Sequence, residues 1–351
     1  MKMVQVNGFG SNTMETRNEL RLAIPSDGAL YEPTNEFLRA SGMPNKRISA
    51  RGYTGKITTV DGVSTLFQRA SDIPGKVEDG TADCGIVGLD RFLEYHQEGG
   101  ESLVVIEDLR FGACELALAV PETWMDVTTT ADLGDLALEF RERGREMRVA
   151  TKYPRLTQRF LFSKDINYLT LIPSSGTLEV APAIGQADLI ADVTATGTTL
   201  RENRLKTLVD GTILTSQSCL IVNRKSLANA DTKLGQIKAI LERAEGYLRS
   251  QDYCSLAANV QGPSQEAVAT RILDRRDISG VEGPTIAPVY SAEGGDWYSV
   301  TVLVEKARVL DAVEHMRQFG GTGITVTQPS YLFLDKCQAY QRLTASVSGI
   351  D

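Results

Sequence analysis

Asp192 and the turn Thr194-Ala195-Thr196-Gly197-Thr198-Thr199 are the part of this sequence best equipped for chemistry. The apolar run Leu189-Ile190-Ala191 ends in the acid, and the turn leads into a helix-like segment from Leu200. A strand, a turn of glycine and hydroxyls, and a helix start together suit a phosphate monoester. Unpaired backbone N–H groups project from a helix N-terminus, where the local dipole is positive. The threonine hydroxyls add donors, and Gly197 lets the backbone take φ > 0 or approach an oxygen closely. Asp192 can hold sugar hydroxyls or act through a divalent cation. The same pattern also fits an ordinary strand-to-helix turn with N-capping threonines.

The rest of the inventory excludes several devices. Only two histidines occur, His96 and His315, and both read as surface groups without a nucleophile nearby. The five cysteines are scattered and lack CxxC spacing, which argues against a disulfide framework and against a zinc site. The net charge is -8 and no long basic cluster appears, so nucleic acid is not an expected partner. No apolar run approaches the roughly 20 residues that span a bilayer. No signal-peptide pattern opens the chain, and residues 1–18 read as a loose polar arm, so the expected compartment is the reducing cytoplasm.

The elements that must position the turn follow from periodicity. With 351 residues, 42% of them hydrophobic, the chain can build two or three cores. Leu20–Pro25, Cys84–Val87, Val104–Glu107, Leu116–Pro121, Met147–Thr151 and Tyr168–Ile172 read as strands. Leu30–Ser41, Ala131–Gly144 and Pro154–Lys164 read as helices between them. This alternation predicts an α/β protein with parallel sheets and helices on both faces. Two such lobes would bind ligand at the carboxyl ends of their strands. The crossings are expected near Val120 and Asp192, with Ile213–Asn223 returning to the first lobe. That divides the chain into lobe I (19–119 and 193–224), lobe II (120–192) and a connector helix with a C-terminal domain (225–351). Ser226–Gln251 carries Leu234, Ile237, Leu241, Ala244 and Leu248 at helical spacing and reads as the connector. Beyond it the order is β-α-β-β-α-β, a ferredoxin-like arrangement without catalytic equipment.

The chain resembles the long form of the ATP phosphoribosyltransferase family from about Leu20 to about Phe333. The motifs are Asp72-Ile-Pro, Asp83-Cys-Gly-Ile-Val-Gly-Leu-Asp90, Phe111-Gly-Ala-Cys114, Leu118-Ala-Val-Pro121 and Arg148-Val-Ala-Thr-Lys-Tyr-Pro154. Glu179-Val-Ala-Pro182 leading to Thr196-Gly-Thr-Thr-Leu200, Gly283-Pro-Thr-Ile-Ala-Pro288 and Gly320-Gly-Thr-Gly-Ile324 complete them. Several stretches look most like the plant-type branch, without a transit-peptide pattern.

The resemblance implies a two-lobed core like that of periplasmic binding proteins, followed by an ACT-like regulatory domain. It implies a reaction between ATP and phosphoribosyl pyrophosphate (PRPP) that needs Mg²⁺ and no nucleophile-base pair. It places Thr196, Gly197, Thr198 and Thr199 on the 5-phosphate of PRPP, and Glu179 and Asp192 near its ribose. Asp192 would serve the metal, directly or indirectly. Arg51 and Arg69 would be the catalytic cations near pyrophosphate and the ATP phosphates, with Gly28 also at ATP. Asp90 and Glu94 read as helix-flanking or capping groups, and Lys152 and Tyr153 sit where a cleft would be. Thr285 and Thr322 would bind inhibitory histidine, in a homo-hexamer in equilibrium with a dimer.

One turn departs from the pattern. The family's first strand runs into a Pro-Lys-Gly-Arg-Leu-like turn, and here Asp27 and Ala29 replace both cations. Three readings follow. Other cations (Lys46, Arg47, Lys56, Arg155, Arg159) compensate; or PRPP is retained with another acceptor; or the chain is a catalytically weak paralogue. A pure solute-binding protein would need an export signal and would need neither the threonine turn nor the last domain.

Overall fold

A computed structural model of the protein describes residues 18–49, 52–174, 176–228, 230–291 and 294–347. The expected N-terminal arm thus falls almost wholly outside the described residues.

The chain first lays down β1 (Leu20–Pro25), β2 (Asn45–Arg47), β3 (Thr54–Ile57), β4 (Val63–Gln68), β5 (Cys84–Gly88) and β6 (Ser102–Ile106). It then builds β7 (Cys114–Pro121), β8 (Met147–Thr151), β9 (Leu169–Pro173), β10 (Leu189–Thr194) and β11 (Leu205–Ser216). β12 (Ser218–Asn223) closes the first sheet, whose order is β2-β3-β4-β1-β5-β12-β6. The second sheet has the order β11-β7-β10-β8-β9.

β5 is buried along its whole length, as a strand covered on both faces must be, and its run Cys-Gly-Ile-Val-Gly has no polar side chain. Ile73 and Val77 from the helix Ile73–Glu78, and Leu89 and Phe92 from the helix Leu89–Tyr95, join Val87 and Ile221 in its core. Behind the second sheet, Leu133, Ala137 and Phe140 of the helix Thr130–Glu142 pack on Val149, Leu189 and Ala191. That helix starts cleanly because Thr129 and Asp132 form a reciprocal capping box.

The sheets are mixed rather than wholly parallel. β1 pairs in parallel with β4 and β5, but β12 runs antiparallel to both its neighbours, and β7 to both of its own. The crossings expected near Val120 and Asp192 therefore lie inside β7 and β10. The chain changes sheets instead between Ile106 and Cys114, and between Ser216 and Ser218. The threonine turn stays with the second sheet because β11 pairs with β7 and keeps the intervening segment there.

The connector is not one helix. Arg224–Leu227 ends where Ala228 turns extended (ψ 134°), and Asp231–Ser250 begins anew. Two compact units change over within that second helix, at Ile237 and Lys238.

The second unit carries β13 (Tyr253–Gln261), β14 (Thr285–Val289), β15 (Trp297–Glu305) and β16 (Thr322–Thr327), ordered β14-β15-β13-β16. All its pairings are antiparallel, and the helices Gln265–Leu273 and Val309–Gln318 complete a ferredoxin-like βαββαβ. Val268, Ile272, Ala312 and Met316 meet Leu256, Val300 and Val302 in its core. His315 is buried there, edge-on to Phe319 at 4.7 Å, rather than on the surface. Ala312 and Met316, its neighbours on the helix, are buried with it, so the face that carries it turns into the core.

Candidate active site

Asp192 and Lys152 meet at the carboxyl ends of the parallel pair β10 and β8. The Lys152 Nζ lies 3.9 Å from Asp192 Oδ2, and Asp192 Oδ1 accepts the Val193 N–H at 2.9 Å. Asp192 is buried, and burial pushes its carboxyl above the usual aspartate range. Lys152, the Val193 N–H and Arg91 pull the other way, while Glu179 adds to the rise. Glu179 is thus close enough for its charge to be felt. An anionic carboxyl pocket faced by one ammonium can hold hydroxyls, or a cation shared with a substrate oxygen.

The turn beyond Asp192 has the geometry its residues require. Gly197 takes φ 69° and ψ 3°, the left-handed region, and caps the short helix Thr198–Glu202. Its N–H donates to Thr194 Oγ1 at 2.9 Å. The hydroxyls of Thr196 and Thr198 are 3.0 Å apart, and the Arg201 guanidinium donates to Thr198 Oγ1 at 3.3 Å. Thr196, Thr198 and Thr199 are exposed. Exposed hydroxyls, a helix start and a guanidinium thus sit together on one turn, groups of the kind an oxyanion site uses.

A second cluster forms at the carboxyl ends of β1 and β4 in the first sheet. Ser26 N–H donates to the Gln68 carbonyl at 2.7 Å, so the turn carrying Asp27, Gly28 and Ala29 lies beside Arg69. Gly28 keeps its left-handed φ of 75°. Arg69 is exposed and makes no ion pair among the described residues. Arg47 stacks its guanidinium on Phe67 at 3.9 Å and reaches Tyr31 at 5.5 Å. Phe67 pairs with Ile24, so Arg47 stands next to the turn that lost its cations. Its Nε is buried and has no hydrogen-bond partner among the described residues. Arg51 lies outside the described residues.

The other cations named as compensators behave differently. Lys46 and Lys56 face each other across β2 and β3, both exposed. Arg155 is spent on the carbonyls of Glu94, Tyr95 and His96, at 2.8, 3.1 and 2.9 Å. Glu94 does cap a helix, but not its own: its carboxylate accepts the Arg155 and Leu156 N–H groups at 2.9 and 3.0 Å.

Asp90 does more than flank a helix. Its carboxylate accepts from the Tyr153 hydroxyl at 2.5 Å and from Ser216 Oγ at 2.8 Å. Arg91, which sequence reasoning missed, lays its guanidinium 4.2 Å over the Tyr153 ring and donates to the Lys152 carbonyl at 3.5 Å. The sequence signal, an acid and a base opening a helix, looks like an exposed first turn.

Thr285 and Thr322 are not brought together within one chain. Thr285 pairs with Thr301 on edge strand β14, and Thr322 with Asn259 on the opposite edge, β16. Three strand spacings separate those edges, about 14 Å.

No group of three or more histidine, cysteine or acidic side chains sits as a metal cage among the described residues. The Asp192 carboxylate offers oxygen donors of the kind a hard divalent cation takes. Among the described residues no helix is long and apolar enough to cross a membrane.

Comparison with known proteins places the chain by sequence. The family model described as ATP phosphoribosyltransferase matches residues 69–246, and that described as HisG, C-terminal domain, matches 250–329. ATP phosphoribosyltransferase 1, chloroplastic, of Arabidopsis thaliana is 34% identical over 90% of this chain and 78% of its own length. ATP phosphoribosyltransferase of Brucella melitensis is 44% identical over 58% of this chain and 90% of its own. Among solved structures, the ATP phosphoribosyl transferase (HisG:HisZ) complex from Thermotoga maritima aligns with a TM-score of 0.48 and 29% identity. That alignment covers 64% of this chain and 96% of the other.

Proposed function

The chain belongs to the ATP phosphoribosyltransferase family, and we infer that it performs that reaction, the first step of histidine biosynthesis. The named relatives support neither a different acceptor nor a silent paralogue. The lone pair of adenine N1 in ATP attacks C1 of PRPP. The bond from C1 to the pyrophosphate oxygen breaks, and pyrophosphate leaves with the electron pair. Adenine N1 is unprotonated near neutral pH, so no protein base is required. The work is positioning two anionic substrates and steadying the departing charge.

The observation that carries the reading is the threonine turn around Gly197, set beside Asp192 and Lys152. The exposed hydroxyls of Thr196, Thr198 and Thr199 and the Gly197-capped helix start take the 5-phosphate. Asp192 and Glu179 take the ribose hydroxyls. Arg69, with Arg51 and Arg47, faces the pyrophosphate and the ATP phosphates, where planar guanidinium groups bind oxyanions bidentately. Gly28 leaves room for the nucleotide. Mg²⁺, when bound, neutralises pyrophosphate charge, with Asp192 reaching it directly or through water.

We further propose that histidine inhibits through the C-terminal domain by way of Thr285 and Thr322. The two lie on opposite edges of one sheet, so each would contribute a separate half-site within a chain. The proposed assembly is a homo-hexamer in equilibrium with a dimer, and the proposed compartment is the cytoplasm. Titration of PRPP into the protein with Mg²⁺ tests the site. Binding that is lost in Thr198→Val with Thr199→Val supports it, and binding indifferent to both changes sinks it.

A further inference from the structure

The buried junction between the two sheets has no task in the scheme above, although it borders Lys152. Tyr153 is almost fully buried, and its hydroxyl is held by Asp90, which also accepts from Ser216. Arg91 covers the Tyr153 ring and donates to the carbonyl of Lys152. On the other side, the Tyr153 N–H donates to Thr151 Oγ1 at 2.9 Å, and that hydroxyl donates to the Ala191 carbonyl at 2.8 Å. The Lys152 peptide is therefore fixed from both sheets. From that anchored peptide the side chain extends so that its ammonium lies 3.9 Å from Asp192 Oδ2, one residue beyond Ala191.

We propose that Asp90, Arg91 and Tyr153 are positioning residues for Lys152. They hold its ammonium where it meets an anionic oxygen of the phosphoribosyl donor beside Asp192. Asp90 and Arg91 open the helix that follows β5, and Lys152 ends β8, so a residue pair of the first sheet sets a donor group of the second. The proposal rests on the PRPP reading for the identity of the anion, and on this junction alone for the placement of the lysine. A direct contact between Tyr153 and substrate is not required: the ring is covered and its hydroxyl is occupied.

The test is a double-mutant cycle between Tyr153→Phe and Lys152→Met, with PRPP and ATP varied separately. Tyr153→Phe is expected to raise the KM for PRPP about tenfold, on the scale of one charge-assisted hydrogen bond. The KM for ATP should move less than about twofold. In the Lys152→Met background the same change should add nothing further, because coupled residues are not additive. An equal penalty in both backgrounds, or an equal rise for both substrates, overturns the proposal. Arg91→Gln, which leaves Asp90 its two hydroxyl donors, gives a second route should Tyr153→Phe fold poorly.

A substrate-free measurement separates this proposal from the transferase reading. Lysines carrying ¹³C-methyl groups are observed by NMR, with Lys152 assigned from Lys152→Arg. The Lys152 resonance should be broad or shifted in the parent and move to the free-lysine position in Tyr153→Phe and Arg91→Gln. A Lys152 signal unchanged in both variants overturns the placement. A parent that binds no PRPP would instead overturn the identity of the anion, while the NMR result still decides the positioning.

Discussion

The Tyr153 hydroxyl donates to the Asp90 carboxylate at 2.5 Å, tying the end of β8 to the helix that follows β5. Burial, and next the Asp90 charge, push this phenol far above the ordinary tyrosine range. The neutral form is the one the fold favours. Its contribution to stability is full below the unfolded value of about 10 and is lost as pH rises beyond it. Alkaline difference spectra of the folded protein should therefore have the same tyrosine amplitude in the parent and in Tyr153→Phe. A smaller amplitude in the variant would mean that Tyr153 ionises freely.

Asp83 is fully buried at the start of β5, between Arg21, 3.1 Å away, and Lys233 at 2.9 Å. Burial pushes its carboxyl up, but the Arg21 and Lys233 hydrogen bonds outweigh that and hold it below the usual aspartate range. A depressed folded value stabilises the protein above the unfolded value of about 3.9, and the effect is lost as pH falls through the folded one. Lys233→Met should cost about 1.5–3 kcal/mol at neutral pH. Urea unfolding should show that difference shrinking in acid below about pH 3.9.

Gly197→Ala tests the turn. A Cβ there would adopt φ 69° and stand 3.0 Å from the Arg201 guanidinium. The left-handed conformation costs a non-glycine residue about 1–2 kcal/mol. PRPP affinity should fall by more than about tenfold, since the turn must either strain or open, while calorimetry shows a drop in Tm of a few degrees or less. Unchanged PRPP affinity would remove the turn from the site.

The altered first turn predicts a gain rather than a loss. Restoring the cations with Asp27→Lys and Ala29→Arg places two positive charges beside Arg47 and Arg69. Each charge pair at about 4 Å is worth roughly 1 kcal/mol in water and more near a protein surface. The KM for ATP should fall several-fold and the KM for PRPP should change less. Initial-rate measurements at two salt concentrations check this, because screening weakens the gain. No effect would mean that Arg47 already supplies what the turn lost.

Much of the scaffold was readable from residues alone, and the exceptions have physical causes. β1, β5 and β8 announce themselves as short apolar runs because they are covered on both faces. β2 and β3 are short, β2 is polar throughout and β3 carries only Ile57 as a large apolar side chain, so nothing in Asn45–Arg47 or Thr54–Ile57 distinguishes a strand from a loop. The first half of β11 is similarly exposed, which hid the true crossing at Ser216 and Ser218. At the candidate site, the strand end with Asp192 and the left-handed turn at Gly197 were legible because strand, acid and glycine lie close together in sequence. The partners of Asp90 were not: Tyr153 and Ser216 lie 63 and 126 residues away in sequence. Thr285 and Thr322 were each placed on a strand or its turn, but strand order, which periodicity does not encode, sets them on opposite edges.

The most direct measurement is product formation from ATP, PRPP and Mg²⁺, followed by separation of the nucleotides and quantification of pyrophosphate. Phosphoribosyl-ATP and pyrophosphate released in equal amounts by the parent, and sharply reduced in Gly197→Ala, are the expected result. A parent that forms neither product and takes up no PRPP would contradict the assignment of the threonine turn as the donor site.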